Sequence, residues 1–211
     1  MRPLQSPDEA TLALSALCNG VKWMKVFATA LVCCIAAFSA GVSVAQKADA
    51  GLYVPTPQTI VDAMLDMAGV GATDHVIDLG SGDGRIVRTA ARRLGATGVG
   101  VEIDDQLVSM AQDAAAKDGV TTRAQFVSHD LWTFDTSKAS VVTVYLLPRA
   151  LPRLKQKLLA ELKPGTRVVA HDYPFPDWEP TQRIVVHEPA KLAVNGDDKA
   201  YLYLYVIPAR N

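Results

Sequence analysis

The densest run of chemistry-bearing residues is Asp78-Leu-Gly80-Ser-Gly82-Asp-Gly84-Arg85, a carboxylate followed by three glycines at alternate positions. Glycines let a backbone turn tightly and approach a ligand with no Cβ in the way. The run falls between a predicted strand at 75–79 and a predicted helix at 85–94, so it opens a helix. The free N–H groups and positive end of that helix suit an anionic group such as a carboxylate. Nicotinamide and flavin enzymes carry such loops too, and three details bear on the choice. The dinucleotide pattern wants Gly or Ala where Arg85 stands. Asp78, just ahead of the glycines, would repel a pyrophosphate but hold an ammonium group. Glu102 follows Gly80 by 22 residues, at the end of the next predicted strand, where a carboxylate accepts both hydroxyls of a ribose. The ribose is common to both cofactor types, and the other two details select S-adenosyl-L-methionine.

Further along, His129-Asp130-Leu131-Trp132 follows the third predicted strand. Asp130 is placed to accept from an adenine amino group, with Leu131 or Ile103 against the ring. The expected cofactor set is therefore Asp78, Gly80, Gly82, Gly84, Glu102, Ile103, Asp130 and Leu131. Methyl transfer to an amine needs that amine neutral. A lysine with a free pKa of about 10.4 must give up its proton at a cost of roughly 4.6 kcal/mol at pH 7. An apolar rim near Tyr145 or Trp132, or a base, should stand beside the methyl group. Tyr145 and His171 are the expected catalytic pair, with His129 and Asp172 as further candidates for the base.

These residues need a frame that brings strand ends together. From Thr56 the chain alternates helix-like and strand-like segments, the pattern of a parallel sheet covered by helices. Ile60, Val61, Met64, Leu65 and Ala68 mark one face of a helix with Thr56 as its expected N-cap. Strands are expected at 75–79, 98–103, 124–129, 139–147 and 166–171, with helices at 85–94, from 104 to 119, and at 152–162. A closing pair at 184–187 and 201–207 turns around Asn195-Gly196-Asp197. The expected fold class is α/β: a Rossmann-like, seven-stranded, mostly parallel sheet with helices on both faces.

The chain has 211 residues, 49% hydrophobic and 20% charged, enough for one domain with a sizeable core plus an extension. Its formal net charge of −1 gives no global field to attract nucleic acid. The arginines at 85, 88, 92 and 93 leave a local basic stripe open, against the plainer reading of a solvated helix face. Cys18, Cys33 and Cys34 all lie early, and His75, His129, His171 and His187 are scattered, so no metal site is expected.

Residues 26–45 carry no charge, follow Lys22 and Lys25, and end in Ser43-Val44-Ala45. That is the pattern of a secretory signal, with an uncleaved membrane anchor as the alternative. The expected organisation is an extension or mis-called start at 1–23, a signal peptide or anchor at 24–50, and a catalytic domain at 51–211. The domain is then expected to be exported or tethered at a membrane.

Tyr53-Val-Pro-Thr56, Asp78 to Val87, Gly100-Val-Glu102, Asp130-Leu-Trp132, Tyr145-Leu-Leu-Pro148 and Pro164-Gly165 together resemble one family. It is that of the mitochondrial protein-lysine methyltransferases that modify the ATP synthase c-ring protein and the adenine nucleotide translocase. The likeness spans about residues 51–180. It implies a class I methyltransferase fold, with cofactor contacts at Asp78, Gly80, Gly82, Glu102 and Asp130. It also implies a methyl-transfer pocket lined by Tyr145 and Leu146, and protein lysine as acceptor. The stretch after Trp178 departs from the family in having no long substrate helix or hydrophobic insertion. A small-molecule acceptor, and a catalytically silent cofactor-binding envelope protein, are the competing readings.

Overall fold

The computed structural model describes residues 53–192 and 196–210. The expectations for 1–23, 24–50 and the uncharged run at 26–45 lie outside these residues, as does Asn195. Among the described residues, no helix is long and apolar enough to cross a membrane.

Seven strands form one sheet: β1 His75–Leu79, β2 Thr97–Glu102, β3 Ala124–Ser128, β4 Val141–Val144, β5 Arg167–His171, β6 Gln182–His187 and β7 Lys199–Val206. Their order is β3-β2-β1-β4-β5-β7-β6. The first five run parallel, and β7 lies antiparallel between β5 and β6. Val141 to Val144 are all buried, as a central parallel strand requires. The fourth strand is shorter than the expected 139–147, because Pro148 starts a 3-10 turn and Tyr145 and Leu146 already leave the sheet. Those two side chains are thereby delivered to the carboxyl edge.

Helices α1 Gln58–Met67, α2 Arg85–Leu94 and α3 Asp105–Lys117 cover one face. Their apolar stripes pack against Val76, Val141, Val169 and Leu202 under α1 and α2, and against Phe126 under α3. The other face is covered by α4 Leu151–Glu161, which buries Leu151, Leu154 and Leu158 against Ile77, Leu79, Val142 and Val168. No helix joins β5 to β6. The 172–181 connection fills that place with aromatics, Phe175 and Trp178 packing on Tyr205 at ring distances of 5.2 and 4.7 Å.

Asp104 caps α3 by accepting from the Gln106 N–H at 2.9 Å, while Thr56 does not cap α1. Pro57 occupies the cap position without a side-chain bond. The Thr56 carbonyl accepts from Arg85 Nη1 at 2.8 Å instead, tying the chain before α1 to the glycine loop.

Gly84 enters α2 with φ of +76°, and a Cβ there would lie 2.4 Å from the Phe126 ring and 2.8 Å from Ala111. Gly84→Ala should lower the unfolding free energy by about 2–4 kcal/mol through strain and overpacking. Urea denaturation reads this directly, and an unchanged midpoint would contradict the packing described.

Candidate active site

The sheet order reverses at β1, whose neighbours β2 and β4 carry the chain away in opposite directions. Ligands of such sheets lie outside the carboxyl ends at this point. The glycine loop is there. Gly80 and Ser81 donate to the Val101 carbonyl at 2.9 and 3.1 Å, which folds the loop over the end of β2. Gly80, Gly82 and Gly84 all have positive φ. A Cβ on Gly82 would strike the Tyr53 ring at 2.2 Å, so the segment before α1 lies against the loop.

Asp78 ends β1 beneath this loop, almost fully buried. Thr143, its register partner on β4, donates to the Asp78 Oδ1 at 2.7 Å. Burial pushes the Asp78 carboxyl up to about 7, against the Thr143 bond, with the charges of Glu102 and Asp83 pushing the same way. A carboxylate in this position calls for a cation.

Glu102 turns back under the loop. Its Oε1 accepts from the Ile103 and Asp104 N–H groups at 2.7 and 3.0 Å, and Oε2 from Gly82 at 3.1 Å. Each oxygen offers two lone pairs; Oε1 is filled by its two donors, and Oε2 keeps one acceptor site for a hydroxyl. Ser81 Oγ is buried beside the loop with no hydrogen-bond partner. On the β3 side, Asp130 Oδ1 accepts from Trp132 N–H at 3.0 Å and Leu131 is buried. A buried unneutralised acid, a second acid with a spare acceptor site, an orphan hydroxyl and a glycine cradle fit a nucleoside that carries an amino-acid chain, such as S-adenosylmethionine.

Arg85, which departs from the dinucleotide pattern, has a local role. It opens α2, grips Asp83 through Nε at 2.9 Å and Nη2 at 2.7 Å, and reaches back to Thr56. Burial works to raise the Asp83 carboxyl, but Arg85 outweighs it and holds it low. The other arginines of α2 are paired too: Arg88 and Arg92 with Asp118, and Arg93 with Asp62 and Asp66. The basic stripe of the sequence is a set of intramolecular ion pairs.

Tyr145 and His171 come together beyond β4 and β5, with ring centroids 4.0 Å apart. His171 is 1% exposed, and neither ring nitrogen has a hydrogen-bond partner. Burial lowers its pKa to about 4, against the Asp172 charge and aided by Lys191. The ring is therefore neutral at pH 7, the form in which an imidazole can accept a proton, with its basicity reduced by burial. Asp172, at a positive φ of 63°, accepts from Tyr145 Oη at 3.3 Å and from Lys191 Nζ at 2.5 Å on both oxygens. His129, the other candidate base, is exposed and packs edge-on against Phe134.

Three contributors escape a reading of the sequence alone. Thr143 carries a signal, being the lone hydroxyl in a buried strand, but only register places it beside Asp78. Tyr53 stands in a motif with no contact to assign it. Lys191 carries no local signal at all. Among the described residues no group of acids, histidines or cysteines is placed to hold a metal ion.

This sheet order with an acid–glycine loop at the switch point and an acid ending β2 defines a class I S-adenosylmethionine-dependent methyltransferase. Comparison with known proteins narrows the class. The family model described as the ANTKMT methyltransferase domain matches residues 78–182. A protein-lysine N-methyltransferase of Saccharolobus islandicus (strain REY15A) is 44% identical over 156 residues, 74% of this chain and 92% of that one. The adenine nucleotide translocase lysine N-methyltransferase of Mus musculus is 37% identical over 133 residues, 63% of this chain and 54% of the relative. The chain thus spans about half the length of that animal protein. Among solved structures, an RNA methyltransferase from Salinibacter ruber in complex with S-adenosyl-L-homocysteine superposes with a TM-score of 0.68 at 42% identity, covering 75% of this chain and 96% of that one. The chain belongs to the family of protein-lysine N-methyltransferases typified by the Saccharolobus enzyme.

The Asp78 carboxyl gives a pH signature of its own. Between about pH 4 and 7 the folded chain holds a proton that the unfolded chain, with its carboxyl near 3.8, gives up. Raising pH through that window therefore removes stability. Asp78→Asn should be more stable than the wild type at pH 8 by up to about 3–4 kcal/mol, with no difference at pH 4. Equal denaturation midpoints at pH 8 would contradict the burial argument.

Proposed function

We propose that the chain transfers a methyl group from S-adenosyl-L-methionine to the ε-amine of a protein lysine. The buried Asp78 carboxylate beneath the glycine loop carries the cofactor half of this reading. It would pair with the cofactor's ammonium, while the bare backbone at Gly80, Gly82 and Gly84 leaves room for the rest of its amino-acid end. Glu102 would accept from a ribose hydroxyl through Oε2, and Asp130 from the adenine amine, with Ile103 and Leu131 against the ring. When bound, S-adenosylmethionine supplies a methyl carbon made electrophilic by sulfonium charge.

The chain's own contribution is orientation, worth up to roughly 7–11 kcal/mol for well-placed reactants, and removal of the ammonium proton. Tyr145, beside Leu146 at the end of β4, forms an aromatic wall against which a lysine stem packs. Asp172 holds the ammonium, and the neutral His171 ring, its Nε2 3.5 Å from Asp172 Oδ1, offers the lone pair that would take the proton. The neutral His171 ring behind Tyr145 keeps this corner dry.

The family and the Saccharolobus relative support lysine as acceptor. The Salinibacter protein is named an RNA methyltransferase; here the net charge of −1 and the pairing of every arginine on α2 give RNA little to bind. The uncharged run at 26–45 supports a domain exported or held at a membrane. Lys22 and Lys25 ahead of the run favour a cytoplasmic N-terminus, so a compartment-sensitive reporter fused after Ile207 is expected to read the periplasmic side, and a cytoplasmic reading would overturn export.

Losing a charge-assisted hydrogen bond of roughly 1.5–3 kcal/mol, Glu102→Ala should bind the cofactor about ten- to a hundredfold more weakly in calorimetry. With radiolabelled cofactor and membrane extract, the wild type is expected to place label on lysine. Label confined to RNA or to small molecules would refute the acceptor assignment.

A further inference from the structure

Two adjacent residues are buried the wrong way round. Lys191 is 5% exposed while Leu192, next to it, is 57% exposed. A buried lysine loses hydration that only a strong partner offsets, and chains ordinarily place leucine inward instead. Lys191 sits on the short 3-10 turn Pro189–Lys191. Glu188 just before it accepts from Thr59 on α1. Nothing in that local sequence calls for an inward lysine.

Its ammonium lies against Asp172, 2.5 Å from both carboxylate oxygens. Asp172 in turn bonds Tyr145 at 3.3 Å and accepts from the Tyr201 N–H at 3.2 Å. Around it stand the His171 ring, its Nε2 3.5 Å from Asp172 Oδ1, and the Tyr145–Tyr173 stack at 6.5 Å. A buried carboxylate ringed by aromatic and neutral side chains, at the carboxyl edge beside the methyl-transfer wall, has the chemistry of an alkylammonium site. Aromatic faces attract the cation and the acid neutralises it.

Resting on the lysine reading above, we propose that Asp172 is the subsite for the acceptor's alkylammonium group, that Lys191 fills it in cis, and that an acceptor lysine binds by taking Lys191's place. The same contacts serve both lysines, one at a time. Lys191 thereby acts as an internal competitor that sets the acceptor concentration needed for turnover. A purely structural ion pair would have no reason to lie beside Tyr145.

The test uses n-butylammonium, a lysine side chain without its backbone, added to the full chain in the absence of cofactor. Lys191→Ala is expected to gain about 3–5 °C in thermal midpoint at roughly ten times the amine's Kd. The same amine should do nothing for Lys191→Ala/Asp172→Asn, and n-butanol nothing for either. If Lys191→Ala does not unfold cooperatively alone, the amine is expected to restore cooperative unfolding. No effect of the amine on a folded or an unfolded variant overturns the subsite. A second arm follows labelled-methyl transfer to lysine in membrane extract. Lys191→Ala should reach half-maximal labelling at severalfold less extract than wild type, with n-butylammonium as a competitive inhibitor. An unchanged or raised half-saturation alongside intact amine binding overturns displacement by the acceptor. A wild type that labels no lysine refutes the lysine reading, and the amine titration still decides the subsite.

Discussion

A buried carboxylate with one hydroxyl donor shapes this molecule. Asp78 ends the central strand, beneath a backbone that only glycines can follow, and Thr143 on the neighbouring strand fixes its Oδ1 at 2.7 Å. The sheet register makes that contact, pairing the two residues across β1 and β4. Burial raises the acid to a pKa of about 7, with Glu102 and Asp83 adding to the effect. The folded chain is therefore only about half ionised at this carboxyl near pH 7, and a bound cation would complete its ionisation. The glycine loop, the Glu102 turn and the Tyr53 strap are arranged around that unmet demand.

The carboxyl edge divides into two chemically different halves on either side of β1. Toward β2 and β3 stand acids with spare acceptor capacity and short apolar side chains, suited to a nucleoside. Toward β4 and β5 stand aromatic rings around one carboxylate, suited to an alkyl amine. The join between β5 and β6 makes the second half possible. With an aromatic connection in place of a helix, Phe175 and Trp178 cover the sheet face. The turn after β6 can then bring Lys191 in to Asp172.

The fold was largely legible because parallel strands buried on both faces read as short apolar runs, and the helices announce themselves by period and terminal glycine. The expected limits of β1 and α2 coincide with the observed ones. The fourth strand ran too long in sequence because apolar residues continue past the point where Pro148 turns the chain. Thr56 looked like a cap, since its type and place are right for one, but Arg85 reaches its carbonyl from elsewhere in the chain. In the candidate site, Asp78, Glu102 and the glycines could be read from a motif that is contiguous or regularly spaced. Thr143, the Asp172–Lys191 pair and the neutrality of His171 depend on register and burial, which no local pattern encodes.

The cofactor half of the site turns on Asp78 receiving a cationic group. The most direct test is calorimetric titration of S-adenosylmethionine into the full chain near pH 6.5, in two buffers of different ionisation enthalpy. Pairing with an ammonium would drive Asp78 to its charged form, so wild-type binding is expected to release part of a proton. Asp78→Asn should release none from this position and bind at least about tenfold more weakly. Equal affinity and equal proton release in the two proteins would contradict the account.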